Sequence, residues 1–251
     1  MRLLSLARDL RRRKAREREG LFAAEGVRVV EELLRSPLAI TGLLVAPKLI
    51  DSPRGVALVL AARERGIDVV DVDEKEFRSA AETDAPQGVL AIAQVPAHSL
   101  ATVRVTDVLR LLVLDAVQDP GNVGTIIRTA AALGADATIA LPGTVDVWNA
   151  KVVRSAMGAH FHHPAFHASW EETSGFLARA DVPLWAADSG GEPLPASKPL
   201  RLAIAVGNEG SGLTAPVRMS ATRIVSLPIA PIVESLNVAV AAGILLYELR
   251  P

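Results

Sequence analysis

The sequence has no cysteine among its 251 residues. This absence excludes disulfide bonds, cysteine-ligated zinc, thiolate nucleophiles and iron–sulfur clusters together. Any chemistry that the protein performs must therefore rely on side chains that carry oxygen and nitrogen.

The sequence also lacks a long uninterrupted run of apolar residues. The run near the C-terminus, Val238 to Leu246, is far shorter than the roughly 20 residues that a membrane-spanning helix needs. The first residues, Met1 to Leu6, do not contain the long apolar core of a signal peptide. We therefore expect a cytoplasmic protein without a membrane partner.

Three common enzyme motifs are missing as well. The sequence contains neither the Gly-x-Gly-x-x-Gly spacing of a dinucleotide-binding fold nor the Gly-Lys-Ser/Thr of a phosphate-binding loop. It has no Gly-x-Ser-x-Gly nucleophile elbow, which weakens a hydrolase interpretation. A Rossmann-like dehydrogenase is a further alternative, but it would need the missing Gly-x-Gly-x-x-Gly motif.

The charge of the chain is unevenly distributed. Residues 1–19 hold eight Arg/Lys and three acidic residues, a net charge of +5, which leaves −6 for the remainder of a chain whose formal net charge is −1. A basic block of this kind favours contact with a polyanion, because phosphate neutralisation supplies most non-specific nucleic-acid affinity. A solvated helix face is the alternative interpretation.

The first part of the chain alternates helical and extended patterns. Residues 3–18 are predicted to form one basic amphipathic helix, followed by the short extended piece 21–26. Further helices are predicted near 27–34, 53–65 and 73–81, and strands at 38–46, 67–72 and 88–95. These elements predict a small α/β domain over residues 1–96, and the polar, proline-containing stretch 97–108 is the predicted linker.

From residue 109 onward, short β-branched runs alternate with helical stretches. Strands or extended pieces are predicted at 109–115, 137–141, 161–166, 182–187, 202–206 and 223–227, and helices at 122–133, 149–157, 170–180 and 236–249. Short apolar strands between helices predict a parallel sheet with both faces covered. The predicted fold class is α/β, with a second domain over residues 109–251.

Three polar turns occur where predicted strands give way to helices in this second domain. They lie within Asp119–Ala130, Ala205–Leu213 and Leu227–Val238. Open α/β sheets bind ligands in the crevice outside the carboxyl ends of their strands, and a helix N-terminus there offers free backbone N–H donors. We therefore expect the three turns to contribute to one site.

Polar side chains in these turns are candidates for chemistry. Asn122 is predicted to cap the helix on which Arg128 lies. Glu209 could pair with Arg128 and fix the orientation of its guanidinium. Asn237 can cap the last helix or bond the same arginine, and Gly207 begins a glycine-rich turn that permits close approach of a ligand.

In this order the three turns resemble the motifs of the SpoU (TrmH) family of the SPOUT RNA methyltransferases, over roughly residues 110–250. The resemblance implies transfer of a methyl group from S-adenosylmethionine to a ribose 2′-hydroxyl. It also implies a SPOUT-like C-terminal domain with a deep trefoil knot, and a homodimer formed through the knotted region. The first domain, with Phe22-Ala-Ala-Glu-Gly26, resembles the small substrate-binding domain, related to an RNA-binding ribosomal-protein fold, that often precedes a SpoU domain.

The resemblance implies roles for individual residues. The catalytic set would be Arg128, Asn122, Glu209, Ser235 and Asn237, and the cofactor pocket would be lined by Gly207, Leu227, Ile229 and Leu236. Ser235 would meet an RNA phosphate or the cofactor carboxylate, with helix capping as the alternative. Because an arginine side chain offers donors and no acceptor in proteins, we interpret Arg128 as orienter and electrostatic stabiliser of the developing alkoxide.

The candidate RNA contacts are basic residues in two places: Arg11, Arg12, Arg13 and Lys14 in the N-terminal block, and Arg154 in a segment that resembles one near the RNA-binding face of the family. No metal is required by this chemistry. The alternative is a metal held by His160 and His162, which alternate on a predicted strand.

The sequence therefore predicts a two-domain RNA 2′-O-ribose methyltransferase. The separate N-terminal domain favours ribosomal RNA as substrate, with transfer RNA as the alternative. A non-catalytic RNA-binding protein on the same fold is the alternative from another class, and the intact set of Arg128, Glu209, Ser235 and Asn237 argues against it.

Overall fold

Two α/β units, each built on its own sheet, form the computed structural model, which describes residues 2–250. The elements of the first part are α1 (Arg2–Asp9), α2 (Arg13–Glu19), β1 (Leu21–Glu25), α3 (Val27–Arg35), β2 (Ile40–Val45), α4 (Pro47–Ile50), α5 (Pro53–Glu64), β3 (Val69–Asp71), α6 (Glu74–Ala80) and β4 (Val89–Gln94). Those that follow are β5 (Leu109–Asp115), α7 (Pro120–Ala132), β6 (Ala137–Ala140), α8 (Ala150–Ser155), β7 (Ala165–His167), α9 (Trp170–Arg179), β8 (Leu184–Pro193), β9 (Arg201–Gly207), α10 (Ala215–Ser220), β10 (Arg223–Ser226) and α11 (Val238–Glu248). Within residues 2–250, no helix is both long and apolar enough to cross a membrane.

Each of the two units is formed by two separate segments of the chain. The N-terminal unit contains the residues up to Ala97 together with Trp148–Phe161, and the C-terminal unit contains His98–Val147 and the residues from His162 onward. Aromatic packing accounts for the inclusion of the later segment, because the fully buried ring of Phe22 lies 4.5 Å from Trp148 and 5.9 Å from Phe161, centroid to centroid. The predicted functional division at 1–96, 97–108 and 109–251 stays a prediction, and it did not anticipate this segment.

The sheet of the N-terminal unit has the strand order β1-β4-β2-β3. Strand β4 is antiparallel to both of its neighbours, and β2 and β3 are parallel. One side of the core is made by Leu4 and Leu10 of the first turns of the chain, by Phe77 of α6, and by Leu90 and Ile92 of β4. Burial of these apolar side chains is the main favourable contribution to folding of the unit.

The predicted single helix over residues 3–18 is wrong in one respect. The structure has two helices, α1 and α2, with a turn at residues 10–12 between them. Arg16 is buried and donates from Nη1 to the carbonyl oxygens of Leu10 at 2.7 Å and Arg11 at 3.0 Å. Carbonyls at the end of a helix lack helical partners, and this guanidinium satisfies two of them. Arg16 therefore acts within the fold and does not belong to the exposed basic block.

The C-terminal unit confirms the predicted parallel sheet. Its six strands are ordered β10-β8-β9-β5-β6-β7, and every neighbouring pair is parallel. All seven residues of β5 are buried, as expected for a strand in a sheet that is covered on both faces. The carboxyl ends of β5 and β9 lie side by side, with Asp115 opposite Gly207.

Two local predictions in this unit need correction. Residues 161–166 do not form one extended piece, since a 3-10 turn covers Ala159–Phe161 and β7 begins only at Ala165. Pro164, which precedes β7, has no N–H to donate to a sheet. The short helix α10 was not predicted; its first turn contains Pro216, which is well suited to a helix start.

A buried arginine holds the end of the last helix. The side chain of Arg110 on β5 donates from Nε to the carbonyl of Leu249 at 2.5 Å, and from its terminal nitrogens to Pro199 and Leu200 at 2.9 Å each. Burial lowers the pKa of Arg110 from its usual value. Because the helix C-terminus carries partial negative charge, this contact fixes α11 at the end opposite to the candidate site.

Burial of His163 predicts how the free energy of unfolding depends on pH. It is buried, its Nε2 lies 2.8 Å from the hydroxyl of Thr138, and burial, with a smaller contribution from His98, lowers its pKa to about 4. In the unfolded chain His163 takes up a proton near pH 6.5, whereas in the folded protein it stays neutral until about pH 4. The neutral ring therefore stabilises the fold fully above pH 6.5, and this stabilisation is lost as the pH falls towards 4. We expect the free energy of unfolding to fall by about 3 kcal/mol across this window from His163 alone.

Urea unfolding at several pH values between 7 and 4 measures this loss. Carboxylates titrate in the same window, so the matched variant is His163→Gln, which keeps a polar partner for Thr138 without the imidazole. The variant should lose less stability than the wild type on acidification. Equal losses in the two proteins would contradict the assignment.

Candidate active site

The three polar turns predicted from the sequence lie at the carboxyl edge of the C-terminal sheet. The first follows β5 and leads into α7, and the second follows β9, the neighbour of β5. The third is the segment 227–237 between β10 and α11, which has no helix or strand. The arrangement is the one expected for a ligand site in an open parallel sheet.

Asn122 joins the three turns through its side-chain amide. Its Nδ2 donates to Oε1 of Glu209 at 2.9 Å, and its Oδ1 accepts from Nδ2 of Asn237 at 3.0 Å. One side chain of α7 thus links the glycine-rich turn to the start of α11. Networks of this kind hold their members in one orientation, because each amide has a fixed donor and acceptor side.

The helix caps differ from the prediction in one place. The N-cap of α7 is Asp119, whose Oδ1 accepts the backbone N–H of Asn122 at 2.8 Å, so the prediction that Asn122 caps this helix is wrong. Asp119 precedes the helix and takes the cap, which leaves the Asn122 amide for the network. Asn237 does cap α11, and its Oδ1 accepts from Ala239 at 2.9 Å and Val240 at 3.3 Å.

Glu209 is held as an ionised acceptor. Partial burial acts to raise the pKa of Glu209, but hydrogen bonds from the Asn122 amide and from the backbone N–H groups of Glu209, Gln118 and Asp119 outweigh it, so the pKa lies below its usual value. A carboxylate of this kind accepts hydrogen bonds only. The orientation of the Asn122 amide is therefore fixed, with its nitrogen towards Glu209.

The glycine-rich turn after β9 is built around Asn208, which sequence reasoning did not single out. Its Oδ1 accepts the backbone N–H groups of Gly210 and Ser211, both at 2.9 Å, and its Nδ2 donates to the carbonyl of Ala116 at 2.9 Å. Asn208 and Gly212 also exchange backbone hydrogen bonds of 3.0 Å in both directions. Asparagine favours turns because its side chain can bond the backbone two residues further on, as Asn208 does here with Gly210.

Gly207 makes a different close approach from the one expected. A Cβ atom at this position would lie 2.4 Å from the carbonyl carbon of Gly212 and 2.5 Å from the nitrogen of Leu213. Glycine is therefore required because the backbone of the turn folds back on itself. The role of Gly207 in cofactor binding stays a prediction, and any such role rests on the shape of this turn.

Arg128 does not form the contacts that were considered for it. Its side chain is exposed and makes no hydrogen bond or ion pair within residues 2–250, whereas Glu209 and Asn237 are both bonded to Asn122. Within the described residues, the structure thus contains neither the ion pair of Arg128 with Glu209 nor a hydrogen bond between Asn237 and Arg128. The five donors of this guanidinium are free for an external acceptor.

The remaining predicted residues lie in the segment between β10 and α11. Ser235 is exposed and makes no hydrogen bond within residues 2–250, and Leu227, Ile229 and Leu236 are half-buried. Ser235 therefore does not cap α11, a position taken by Asn237. The catalytic role of Ser235 and the cofactor roles of the three apolar residues stay predictions.

A pair of variants at Asn237 separates its structural role from its role in the network. Asn237→Ala removes the cap of α11, and we expect the free energy of unfolding to fall by about 1 kcal/mol. Asn237→Asp keeps an acceptor for the cap but loses the donor to Asn122, so it should unfold like the wild type while impairing the site. Urea unfolding measures the first effect, and equal stability of the Ala variant and the wild type would contradict it.

The basic block at the N-terminus is partly neutralised by its own neighbours. Arg12 pairs with Asp9, and Nε of Arg13 lies 2.7 Å from Oε1 of Glu17. These pairs are exposed and three or four residues apart on the helical turns. The formal charge of the block therefore overstates the charge that is free to meet a polyanion.

The other predicted RNA contacts differ in their surroundings. Nη1 of Arg11 donates to the carbonyl of Ser79 at 3.4 Å, whereas Lys14 is exposed and makes no hydrogen bond or ion pair in the described part of the chain. Arg154 is half-buried at the end of α8, in the N-terminal unit. RNA binding by these residues, and by Arg12 and Arg13, stays a prediction.

The histidines do not form the arrangement considered for a metal. His160 lies in the 3-10 turn, where its ring meets Trp148 edge-on at 4.0 Å between centroids, and His162 is exposed beyond it. They do not alternate on one strand, because β7 begins only at Ala165. Across residues 2–250, no group of three or more histidine or acidic side chains could hold a metal ion.

Comparison with known proteins places these features in a family. Residues 110–247 match the SpoU rRNA methylase family, and residues 5–91 match the MRM3-like substrate binding domain. The chain therefore belongs to the SpoU rRNA methylase family.

Relatives and solved structures agree with this assignment along the whole chain. The 23S rRNA (guanosine(2553)-2′-O)-methyltransferase RlmP of Bacillus subtilis is 38% identical over 97% of this chain and 94% of its own. The SpoU methyltransferase AviRb of Streptomyces viridochromogenes, solved with AdoMet, superposes with a TM-score of 0.89 at 28% identity, covering 98% of this chain and 96% of its own. An AdoMet-bound rRNA methyltransferase of Sinorhizobium meliloti gives a TM-score of 0.85 at 30% identity, covering 99% and 94%.

Proposed function

We propose that this protein transfers a methyl group from S-adenosylmethionine to a ribose 2′-hydroxyl of ribosomal RNA. The observation that carries the proposal is the network of Asn122, Glu209 and Asn237, which joins the three motif turns at the carboxyl edge of the sheet. A relative 38% identical over 97% of the chain is a 23S rRNA 2′-O-methyltransferase, which supports the choice of reaction and of RNA.

The reaction sets simple demands on the protein. S-adenosylmethionine supplies a methyl group on a positively charged sulfur, and this group moves to the ribose oxygen as the C–S bond breaks, the C–O bond forms and the hydroxyl proton leaves. Most of the acceleration can come from alignment of the acceptor oxygen with the methyl group. The network fixes the turns that perform this alignment, and the ionised Glu209 anchors it.

Arg128 is proposed as the group that meets the RNA. Its exposed guanidinium, without a partner in residues 2–250, can hold the phosphate next to the target ribose in a bidentate contact and stabilise the oxygen as it loses its proton. Proton abstraction by Arg128 is disfavoured because a guanidinium carries donors and no acceptor. The acceptor of the proton is therefore another group, such as a phosphate oxygen or solvent.

The segment from Leu227 to Leu236 fits the cofactor. Within residues 2–250 its backbone makes one hydrogen bond, from Val233 to Ala230 at 3.2 Å, so most of its N–H and C=O groups are free. Half-buried Leu227, Ile229 and Leu236 add apolar surface beside them. Free backbone groups and apolar side chains suit an adenine ring, and we propose that this segment binds it.

A homodimer through the C-terminal region is part of the proposal. Helix α11 exposes Val240, Ile244 and Tyr247, which are 52%, 39% and 53% accessible and recur at the spacing of one helical face. An exposed apolar stripe of this kind supports burial against a second copy. The trefoil knot and the cytoplasmic location stay predictions, and light scattering of the purified protein tests the dimer.

Mapping of 2′-O-methylated positions in total RNA tests the function. A strain without the gene should lack one such methyl group in ribosomal RNA, and the purified protein with S-adenosylmethionine should restore it. Loss of a methyl group from transfer RNA alone would contradict the choice of RNA. An unchanged methylation map, together with no transfer in vitro, would favour the non-catalytic RNA-binding alternative.

A further inference from the structure

A cavity of about 470 Å³ opens in the N-terminal unit, and its lining residues are not among those assigned above to catalysis or to the cofactor. Its walls include Glu25, Arg28, Arg54, Gln87, Arg154 and Met157, which come from separate stretches of the chain. The volume lies within the range of ligand pockets and far exceeds the voids left by ordinary packing. Glu25 belongs to the Phe22–Gly26 stretch and Arg154 to the segment noted above for its family resemblance, whereas the three polar turns contribute no residue to the wall.

Positively charged side chains predominate in the wall of this cavity, and some of them have no hydrogen-bond or ion-pair partner in residues 2–250. Arg54 is held by Glu31 in a bidentate pair, with an Nε–Oε1 distance of 2.7 Å and an Nη2–Oε2 distance of 2.5 Å. Arg28 is exposed and makes no hydrogen bond or ion pair within residues 2–250. Arg154 likewise makes none in the described chain. Two guanidinium groups are therefore available to an anion.

The carboxylate in the wall is already occupied. Glu25 is buried, and its oxygens accept the backbone N–H of Glu82 at 2.9 Å and the hydroxyl of Thr83. These neutral donors leave the carboxylate its charge, but Glu25 is one acidic side chain in a wall that also holds Arg28, Arg54 and Arg154. The balance of free groups in the cavity is thus basic.

Arg154 has a donor that the protein does not satisfy. Its Nη1 is shielded from solvent and has no hydrogen-bond partner within residues 2–250. A buried donor without an acceptor has lost its hydrogen bonds to water without replacement, so native proteins rarely leave one unpaired without a reason. An anion bound in the cavity would draw this guanidinium into hydrogen bonds and remove the penalty.

The wall next to Arg154 is held in a fixed and strained conformation. Met157 has a φ of +53°, which a residue with a side chain rarely adopts, and Gly158 follows with a φ of +91°. A Cβ atom at Gly158 would lie 2.5 Å from Cβ of Glu32, so the turn is fastened against α3. Backbone strain that persists in this way is concentrated at ligand-binding sites.

We propose that this cavity binds a phosphodiester group and the adjoining nucleotide of the substrate RNA, with Arg28 and Arg154 as its phosphate ligands. The cavity is larger than a phosphate alone requires, and Val27, Ala85 and Met157 give it an apolar wall on which a base can pack. The match of residues 5–91 to a substrate-binding domain supports RNA as the occupant. The choice of RNA rests on the proposed function, but the site is defined independently of the catalytic residues.

Binding of RNA to the full-length protein tests the site. The variants are Arg28→Gln, Arg154→Gln and the double variant, and the control is Arg65→Gln, which removes an exposed charge of the N-terminal unit that does not line the cavity. The probe is a short fluorescein-labelled oligouridylate, followed by anisotropy over a range of salt concentrations. Circular dichroism and calorimetry with S-adenosylmethionine show whether folding and cofactor binding are retained.

We expect each single variant to weaken RNA binding on the order of 10-fold at low salt, which corresponds to about 1.4 kcal/mol for the lost contact between guanidinium and phosphate. The double variant should flatten the dependence of log K on log salt by about 1.4, which is about 0.7 for each lost phosphate contact on a single strand. Arg65→Gln should leave the slope unchanged. Because Arg28 is exposed, its variant remains informative even if Arg154→Gln disturbs the fold.

The outcomes separate this inference from the proposed function. Wild-type affinity and salt slope in folded Arg28→Gln and double variants would overturn the cavity as an RNA site while leaving methyl transfer intact. No binding of the oligouridylate by the wild type would overturn it as well. Weakened RNA binding in the variants, in a protein that transfers no methyl group to any RNA, would support the cavity and contradict the proposed function.

Discussion

Replacement of Arg128 by alanine is expected to lower the single-turnover rate of methyl transfer by about 100- to 1000-fold. The reason is that its guanidinium has no partner in residues 2–250, so its contribution arises when RNA and the developing charge are present. An interaction that is stronger in the transition state than in the ground state affects the rate more than the affinity. Affinities for S-adenosylmethionine and RNA should therefore change much less than the rate.

The measurement is transfer of labelled methyl to the cognate RNA at saturating cofactor, with circular dichroism as a check of folding. Arg128→Lys should recover little of the rate, since an ammonium cannot reproduce a bidentate contact with a phosphate. The matched control is Arg104→Ala, an exposed arginine that precedes the amino end of β5. Near-wild-type turnover in a folded Arg128→Ala protein would remove Arg128 from the active site.

The position of the site was predictable from the sequence, for a simple geometric reason. Apolar runs such as 109–115 and 202–206, separated by helices, imply parallel strands whose carboxyl ends share one edge. Polar turns that follow such strands must then lie near one another. The structure places β5 and β9 side by side and brings the turns after them into hydrogen-bonding contact through Asn122 and Glu209.

The pairing of side chains within the site was not predictable in the same way. Asn122 was assigned to a helix cap because asparagine is a good N-cap, but Asp119 stands three residues earlier and takes that position. Glu209 then bonds the released amide instead of Arg128. Local rules identify which residue types can perform a task, whereas the choice between two suitable residues depends on where the helix begins.

Contacts between distant parts of the chain set a second limit. The packing of Phe22 on Trp148 and Phe161 joins a segment near the middle of the chain to the N-terminal unit, and helical or strand periodicity carries no information about such a partner. Arg16 shows a further, local limit, because its hydrogen bonds to Leu10 and Arg11 mark a break between two helices that the apolar pattern did not predict. Its formal charge had only counted it in the basic block.

Replacement of Gly207 by alanine is expected to lower the free energy of unfolding by about 3 kcal/mol or more, and to weaken binding of S-adenosylmethionine in the protein that remains folded. A Cβ atom would lie 2.4 Å from the carbonyl carbon of Gly212, which is backbone and cannot swing aside as a flexible side chain would. Forcing extra volume into a packed site typically costs 1–3 kcal/mol, and sites enclosed by backbone belong at the upper end. The turn held by Asn208 would have to open, and it is linked through Glu209 and Asn122 to Asn237, the residue that follows the segment proposed to bind the cofactor.

The matched control for this prediction is Gly210→Ala in the same turn. A Cβ atom at Gly210 would meet nothing closer than Oδ1 of Asn208 at 3.6 Å, an ordinary van der Waals contact. Both variants replace glycine by alanine in one loop and so remove similar backbone freedom from the unfolded chain, which leaves the steric conflict as the difference between them. Urea unfolding should separate the two by about 3 kcal/mol, and calorimetry should show cofactor affinity close to wild type in Gly210→Ala only. Equal stability and equal cofactor affinity in the two variants would show that the turn tolerates a side chain at Gly207, and would remove the steric reason for glycine at the end of β9.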